Sequence, residues 1–373
     1  MDSLRQTEVL VIGGGPAGLS AALEAASLGC EVTLVDSDLA LGGQLIKQTH
    51  KFFGSKEERA GTRGFVISRM LLEELDTFKE KVKVFSNCTA TGFYKEDGVV
   101  SCVVGEEEYF RIKPKKIIMA TGAQERLLPF PLNHLPGVYG AGAVQTLMNV
   151  YGVVPGKKVI MVGAGNIGLI VSYQLMQAGV EIAGIVEAMD KVGGYWVHAA
   201  KVRRLGVPIY LRHTIREALG DQVVSGAIIQ EIDEKFQPTG KEIKVDADVI
   251  CMAVGLTPTC ELLWQAGCEM AFVPQLCGHV AQRDLNMRTS HPDIWVAGDA
   301  AGIEEASAAM VEGRMAGVGV AKSLGHGDAR DLSKRMEEYR RRIGDLRGGE
   351  VGQKICQGLQ CCTVDEWGVC SID

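Results

Sequence analysis

Two segments of this chain spell one pattern. EVLVIGGGPAGLSAALEAASLGCEVTLVD covers residues 8–36, and KVIMVGAGNIGLIVSYQLMQAGVEIAGIVE covers residues 158–187. In each, a short branched apolar run runs into G-x-G-x-x-G, then a helical stretch, then a second apolar strand that ends on an acid. Such apolar runs read as parallel strands buried on both faces. The first glycine permits the tight turn, the second lets a pyrophosphate approach the backbone, and the third lets helix and strand pack closely. The helix N-terminus then offers free N–H groups and a positive dipole end to the phosphates. Gly13, Gly15 and Gly18 form the first fingerprint, with Pro16 and Ala17 opening a helix expected over 16–28. Asp36, eighteen residues after Gly18, stands where a carboxylate accepts from the ribose hydroxyls. Gly163, Gly165 and Gly168 form the second, with Asn166 and Ile167 opening a helix expected over 166–178. Glu187 follows Gly168 by nineteen residues.

The expected fold is therefore α/β, with two Rossmann-like three-layer nucleotide-binding domains. A chain of 373 residues that is 46% hydrophobic is large enough for two such cores. A net charge of −7 does not suit a nucleic-acid backbone. The most apolar region, 159–186, is interrupted by Asn166, Gln174, Gln177 and Glu181, so no membrane span is expected. The N-terminus lacks the pattern of a secretory signal, and the eleven cysteines are an odd number. The expectation is a cytoplasmic protein without structural disulfides. Cys30, Cys88 and Cys251 stand singly in apolar runs and read as small core residues.

Further motifs point to a bulky flat ligand in the first cradle. GGQL (42–45), ATGA (120–123) and WVAGDAAG (295–302) place small residues at strand ends, where backbone can lie against such a ligand. Gly43, Gln44, Thr121, Gly122 and Gly298 are the candidates there, and Asp299 can hold a polyol hydroxyl. Lys47 and His50 are weaker candidates beside them. In this order, over residues 8 to about 320, the motifs resemble the two-dinucleotide-binding flavoproteins that include thioredoxin reductase. The resemblance implies FAD in the first cradle. It also implies a discontinuous FAD domain, 1–125 with 285–373, and an inserted nucleotide domain, 126–284. In the second cradle Glu187 favours NAD(H) over NADP(H), because a carboxylate repels a 2′-phosphate. ATP or ADP remains an alternative there. The paired redox cysteines of the disulfide reductases are missing from the first half and from the second cradle, so a dithiol mechanism is not expected.

ATGAQERLLPFP with LPGV, residues 120–131 and 135–138, resembles the α-subunits of heteromeric amine and amino-acid dehydrogenases. The resemblance implies an electron-transfer subunit whose β-type flavoprotein partner oxidises the amine or amino acid. The alternatives are a stand-alone NADH-dependent flavoprotein reductase and a non-catalytic nucleotide-binding subunit. No proton-transfer residue is singled out, so the catalytic set is left unassigned. The tail CQGLQCCTVDEWGVC offers Cys356, Cys361, Cys362 and Cys370 as thiolates for an iron–sulfur cluster or metal, in a spacing that matches no standard ligand motif. An ordinary tail with incidental thiols is the competing reading.

Overall fold

Strands that read as wholly apolar are buried on both faces, as a parallel sheet sandwiched between helices requires. The computed structural model describes residues 3–52, 54–105 and 108–365, in two compact units: 1–124 with 257–373, and 125–256. In the first unit, β1 (Ser3–Ile12), α1 (Pro16–Ser27), β2 (Val32–Val35), α2 (Gly64–Asp76) and β3 (Val82–Phe85) alternate. The antiparallel β4 (Cys88–Tyr94), β5 (Val99–Val104) and β6 (Glu108–Met119) follow. Strand order is β3-β2-β1-β6-β5-β4, with β1 parallel to both β2 and β6. Val9, Leu10 and Val11 of β1 are fully buried.

The chain leaves by β7 (Ala123–Glu125). The second unit then contains β8 (Val138–Gly140), α3 (Ala141–Asn149), β9 (Lys158–Val162), α4 (Asn166–Gln177), β10 (Glu181–Glu187), α5 (Trp196–Arg204) and β11 (Ile209–Leu211). After these come β12 (His213–Gly220), β13 (Val224–Ile232), β14 (Pro238–Asp246) and β15 (Val249–Met252), and β16 (Leu256–Pro258) carries the chain back. A parallel sheet of order β11-β10-β9-β15-β8 lies beside the antiparallel sheet β12-β13-β14. Phe130 and Leu135, from the PFP and LPGV runs, are buried with Ile160, Ile229 and Ile250 between these sheets. The Glu125 carboxylate accepts from Gly142 N at 2.7 Å, in the first turn of α3. It caps a helix there.

Back in the first unit stand α6 (Glu261–Gln265), β17 (Met270–Val273), β18 (Gly278–Ala281), β19 (Arg283–Asp284) and β20 (Ile294–Val296). Three helices and a short strand follow: α7 (Ala306–Ser323), α8 (Ala329–Leu346), α9 (Gly349–Gln360) and β21 (Thr363–Val364). The expected return at 285 differs from this division. Cys260, Leu263 and Ala266 are buried in the same core as β1 and α1, and Gln265 Oε1 accepts from Phe93 N at 2.9 Å. The helix that packs most closely on α1 is α7. A Cβ at Gly313 would lie 2.1 Å from Ala17 O, and one at Gly317 would lie 2.8 Å from Ala21 O.

Charged α8 buries one face, with Leu332, Met336, Tyr339 and Ile343, and leaves the other exposed. Its Arg335 and Tyr339 reach the buried carboxylate of Glu24 on α1, at 2.9 and 2.7 Å, and Arg314 of α7 reaches it at 3.3 Å. Burial and the facing carboxylate push the Tyr339 hydroxyl up to about 12. Replacing Glu24 by Ala leaves these three donors without their acceptor. A stability loss of about 3 kcal/mol is expected. Arg335→Ala removes only one half-exposed partner, and its loss is expected to be about 1 kcal/mol. Urea denaturation of the two variants checks this; equal small losses would rule out a buried hub at Glu24.

Candidate functional site

The first cradle is held open by what glycine lacks. A Cβ at Gly18 would stand 1.7 Å from Gly13 O. One at Gly13, where φ is +104°, would stand 2.2 Å from Ala120 O. Both contacts are backbone, so neither position tolerates a side chain. Gly15 differs: the nearest atom to a Cβ there is Gly43 Cα at 4.0 Å. An open face is thus left above the first turn of α1, with Pro16 at its first position and Ala17 buried behind it. One Asp36 carboxylate oxygen accepts from Gly14 N, and the other accepts from Asp38 N at 2.7 Å. Burial raises the Asp36 pKa, and these two N–H groups oppose that rise. Gly42 N donates to Gly14 O at 2.8 Å, which brings Gly43, at φ +50°, against Gly15. Gln44 is exposed in the short 3-10 turn that follows, and the His50 ring stacks on Phe52 at 5.6 Å.

Beyond β6 and β20 the chain supplies the other motifs. Thr121 Oγ1 donates to Thr259 O at 2.6 Å, so this hydroxyl is already committed to backbone. Gly122 takes φ +73° with open space where a Cβ would point. Gly298, at φ +70°, sits on the first turn of α1, where a Cβ would come within 2.7 Å of Ala17 Cβ. Asp299 Oδ1 accepts from Glu304 N at 3.3 Å. Burial pushes its carboxyl up to about 7, against the pull of that N–H and reinforced by the charges of Glu312 and Glu304.

In the second unit the same bonds recur. A Cβ at Gly168 would lie 2.1 Å from Gly163 O, and one at Gly163 would lie 2.3 Å from Ala253 O. One at Gly165 would meet nothing within 4 Å. Glu187 Oε2 accepts from Ala164 N at 2.7 Å and Oε1 from Met189 N at 2.9 Å, matching Asp36 bond for bond. Asn166 Oδ1 accepts from Tyr195 N at 2.7 Å, while Ile167 is exposed on the first turn of α4. Sequence reasoning missed Gly194, whose N–H donates to Ala164 O at 2.9 Å as Gly42 does to Gly14 O. The signal was present: GG follows the acid in both halves, at 42–43 and 193–194. It also missed Arg212, which lies at 3.6 Å from Asp190 and 3.5 Å from Glu234, two acids beside one guanidinium. Only the fold brings Arg212 to this corner, through its N–H to Met189 O at 3.0 Å.

Among the described residues the tail cysteines form no metal-holding group. Cys356 lies on α9, Cys361 is exposed at its end, and Cys370 lies outside the described residues. Cys362 is buried against Val273, Leu276 and Val280, and burial raises its thiol pKa. Among the described residues no group of three His, Cys, Asp or Glu side chains is arranged to hold a metal ion. Cys30, Cys88 and Cys251 are core residues as expected, and burial pushes the Cys30 thiol up to about 12.

Both cradles fit a dinucleotide. Each is closed at its first and third glycines by backbone and open at the second, with a carboxylate at the strand end. Comparison with known proteins agrees. The pyridine nucleotide-disulphide oxidoreductase model matches residues 7–313. Subunit HcnB of hydrogen cyanide synthase from Pseudomonas protegens is 26% identical, over 90% of this chain and 75% of that one. An opine oxidase subunit from Agrobacterium tumefaciens is 27% identical, over 85% of this chain and 66% of that one. The crystal structure of L-proline dehydrogenase from P. horikoshii shares the fold with a TM-score of 0.68 at 25% identity, over 91% of this chain and 60% of that one. This chain therefore spans only part of each of these relatives. With the match running over most of its length, the chain belongs to the pyridine nucleotide-disulphide oxidoreductase family, whose members bind FAD and NAD(P).

Proposed function

We propose that the first unit binds FAD, that the second binds NAD(H), and that the chain is the α-like electron-transfer subunit of an amino-acid or amine dehydrogenase complex. The observation that carries this reading is the duplicated cradle, open at Gly15 and Gly165 and closed elsewhere by backbone. In the first, the N–H groups at the start of α1 face the pyrophosphate and Asp36 accepts from the adenosine ribose. Gly43, Thr121 and Gly122 border the flavin half, and Asp299 accepts from the ribityl chain. FAD supplies a two-electron acceptor, and the protein supplies position and electrostatics. In the second, Gly163, Gly165, Gly168 and Asn166 take the phosphates and Glu187 takes the ribose. NAD(H) is preferred to NADP(H) because Arg212 is already matched by Asp190 and Glu234, leaving Glu187 to repel a 2′-phosphate.

The subunit role is drawn from relatives that are themselves named as subunits, HcnB and the opine oxidase chain. On this reading a β-type flavoprotein partner oxidises the substrate and electrons pass to this chain in the cytoplasm. No helix among the described residues is long and apolar enough to cross a membrane. An iron–sulfur centre at Cys356, Cys361, Cys362 and Cys370 is not part of the proposal, since the Cys362 thiol is committed to an apolar cluster. The complete second cradle favours one other reading, a stand-alone NADH-dependent reductase. Anaerobic mixing with NADH separates the two. Slow or no bleaching of the bound flavin, with reduction when a co-purified subunit receives an amine or amino acid, is the expected result; rapid bleaching by NADH alone would favour the reductase.

Three substitutions test the sites directly. Gly15→Ala places a methyl in the open face without meeting protein, so flavin retention is expected to fall about tenfold while the apoprotein melts as before. Gly18→Ala, driven into Gly13 O, is expected to destabilise the fold itself. Flavin-to-protein absorbance ratios and apoprotein melting curves check the pair. Wild-type flavin content in Gly15→Ala would place the cofactor elsewhere. Glu187→Gln is expected to narrow the preference for NADH over NADPH about tenfold, as measured by fluorescence titration of each nucleotide. ATP or ADP binding more tightly than either would reassign the second cradle.

A further inference from the structure

The segment that carries Asp299 is gripped from the far C-terminal end of the described chain. Arg347, immediately after α8, binds Glu304 through two nitrogens, at 2.6 and 3.0 Å, and Glu312 at 2.7 Å. Glu312 in turn accepts from Gly298 N at 3.0 Å and from Arg283 at 3.3 Å, while Arg283 donates to Ala301 O at 2.7 Å. Residues 298–304 are thus held at Gly298 N–H, Ala301 C=O and the Glu304 side chain, and Glu304 N–H holds Asp299. Two carboxylates (Glu304, Glu312) face two guanidinium groups (Arg283, Arg347), all at or near the core, and Asp299 is tied to them through Glu304 N–H. The Arg347 backbone is itself fixed, since a Cβ at Gly352 of α9 would stand 2.0 Å from Arg347 O.

We propose that Arg347 is a positioning residue: through Glu304 and Glu312 it fixes the 298–304 segment and offsets the carboxylate charge beside Asp299, and so sets the affinity and reduction potential of the flavin. The inference rests on the FAD site proposed for the first unit. Removing the guanidinium leaves one cation against the carboxylates of Glu304 and Glu312 in a poorly solvated place, where charge acts strongly and adding electrons nearby becomes less favourable.

The test uses the full-length holoprotein. Arg347→Gln is expected to lower the midpoint potential of the bound flavin and to weaken FAD retention about tenfold, with Arg347→Lys restoring much of the potential. Arg335→Gln, which loosens α8 from α1 without touching residues 298–304, is the control: it loses thermal stability and keeps the wild-type potential and affinity. Glu304→Gln removes a negative charge from the same cluster and is expected to raise the potential, so a result stands even where Arg347→Gln fails to fold. The proposal is overturned if Arg347→Gln behaves like Arg335→Gln, or if Glu304→Gln leaves the potential unmoved. A wild-type protein that holds no flavin after incubation with FAD would instead sink the proposed function.

Discussion

Each unit is organised around a carbonyl oxygen with no room beside it. Gly13 O lies where a Cβ at residue 18 would be, and Gly163 O lies in the same relation to residue 168. Strand and helix approach this closely only because both partners are glycine. The approach aims the first N–H groups of α1 and α4 at an open face, and it brings the end of the neighbouring strand near enough for Asp36 and Glu187 to take the N–H of the residue between the first two glycines. Turn, helix dipole and acid are therefore not independent features. They follow from two glycine contacts, and losing either would disperse the whole set.

The duplication extends further than the fingerprint. GG returns after the acid in each half, its N–H donating to the middle residue of the cradle, and an A-x-G at the next strand end supplies the carbonyl that crowds the first glycine. What differs is what each unit adds. The first carries Asp299 and the carboxylate–arginine cluster behind it. The second carries Glu187 at a corner where Arg212 is matched by two acids. The surroundings of the two cradles thus differ while their backbone geometry stays common.

Local pattern made the cradles legible. The helices expected over 16–28 and 166–178 are observed at Pro16–Ser27 and Asn166–Gln177, because glycine, proline and apolar periodicity act within a few residues. Features that depend on distant partners were not legible. The return to the first unit at 257 is decided by Cys260, Leu263 and Gln265 meeting β4 and the first core, contacts that span up to 172 positions. The Glu125 carboxylate closes the start of α3 at Gly142, 17 positions along the chain. Four nearby cysteines look like a ligand set, and the short helix Gly349–Gln360 turns Cys362 inward and leaves Cys361 exposed.

Helix α8 shows most clearly why composition misleads. DLSKRMEEYRRRI is a charged helix, and i,i+4 pairs join Arg335 to Asp331 and Arg341 to Asp345. The same Arg335 also reaches Glu24, 311 positions away, and Arg342 reaches buried Glu58, 284 positions away. Arg341 meets Glu57, Arg340 meets Asn286, and Arg347 beyond the helix meets Glu304 and Glu312. Long guanidinium side chains can cover apolar surface while delivering charge at depth. A surface pair would be worth little here, but an acid already buried in α1 or beside the 298–304 segment cannot be left unpaired without a large cost. The arginines of the C-terminal segment answer acids buried by the nucleotide fold. That demand for charge holds the segment in the first unit as much as the buried Leu332, Met336, Tyr339 and Ile343 of α8 do.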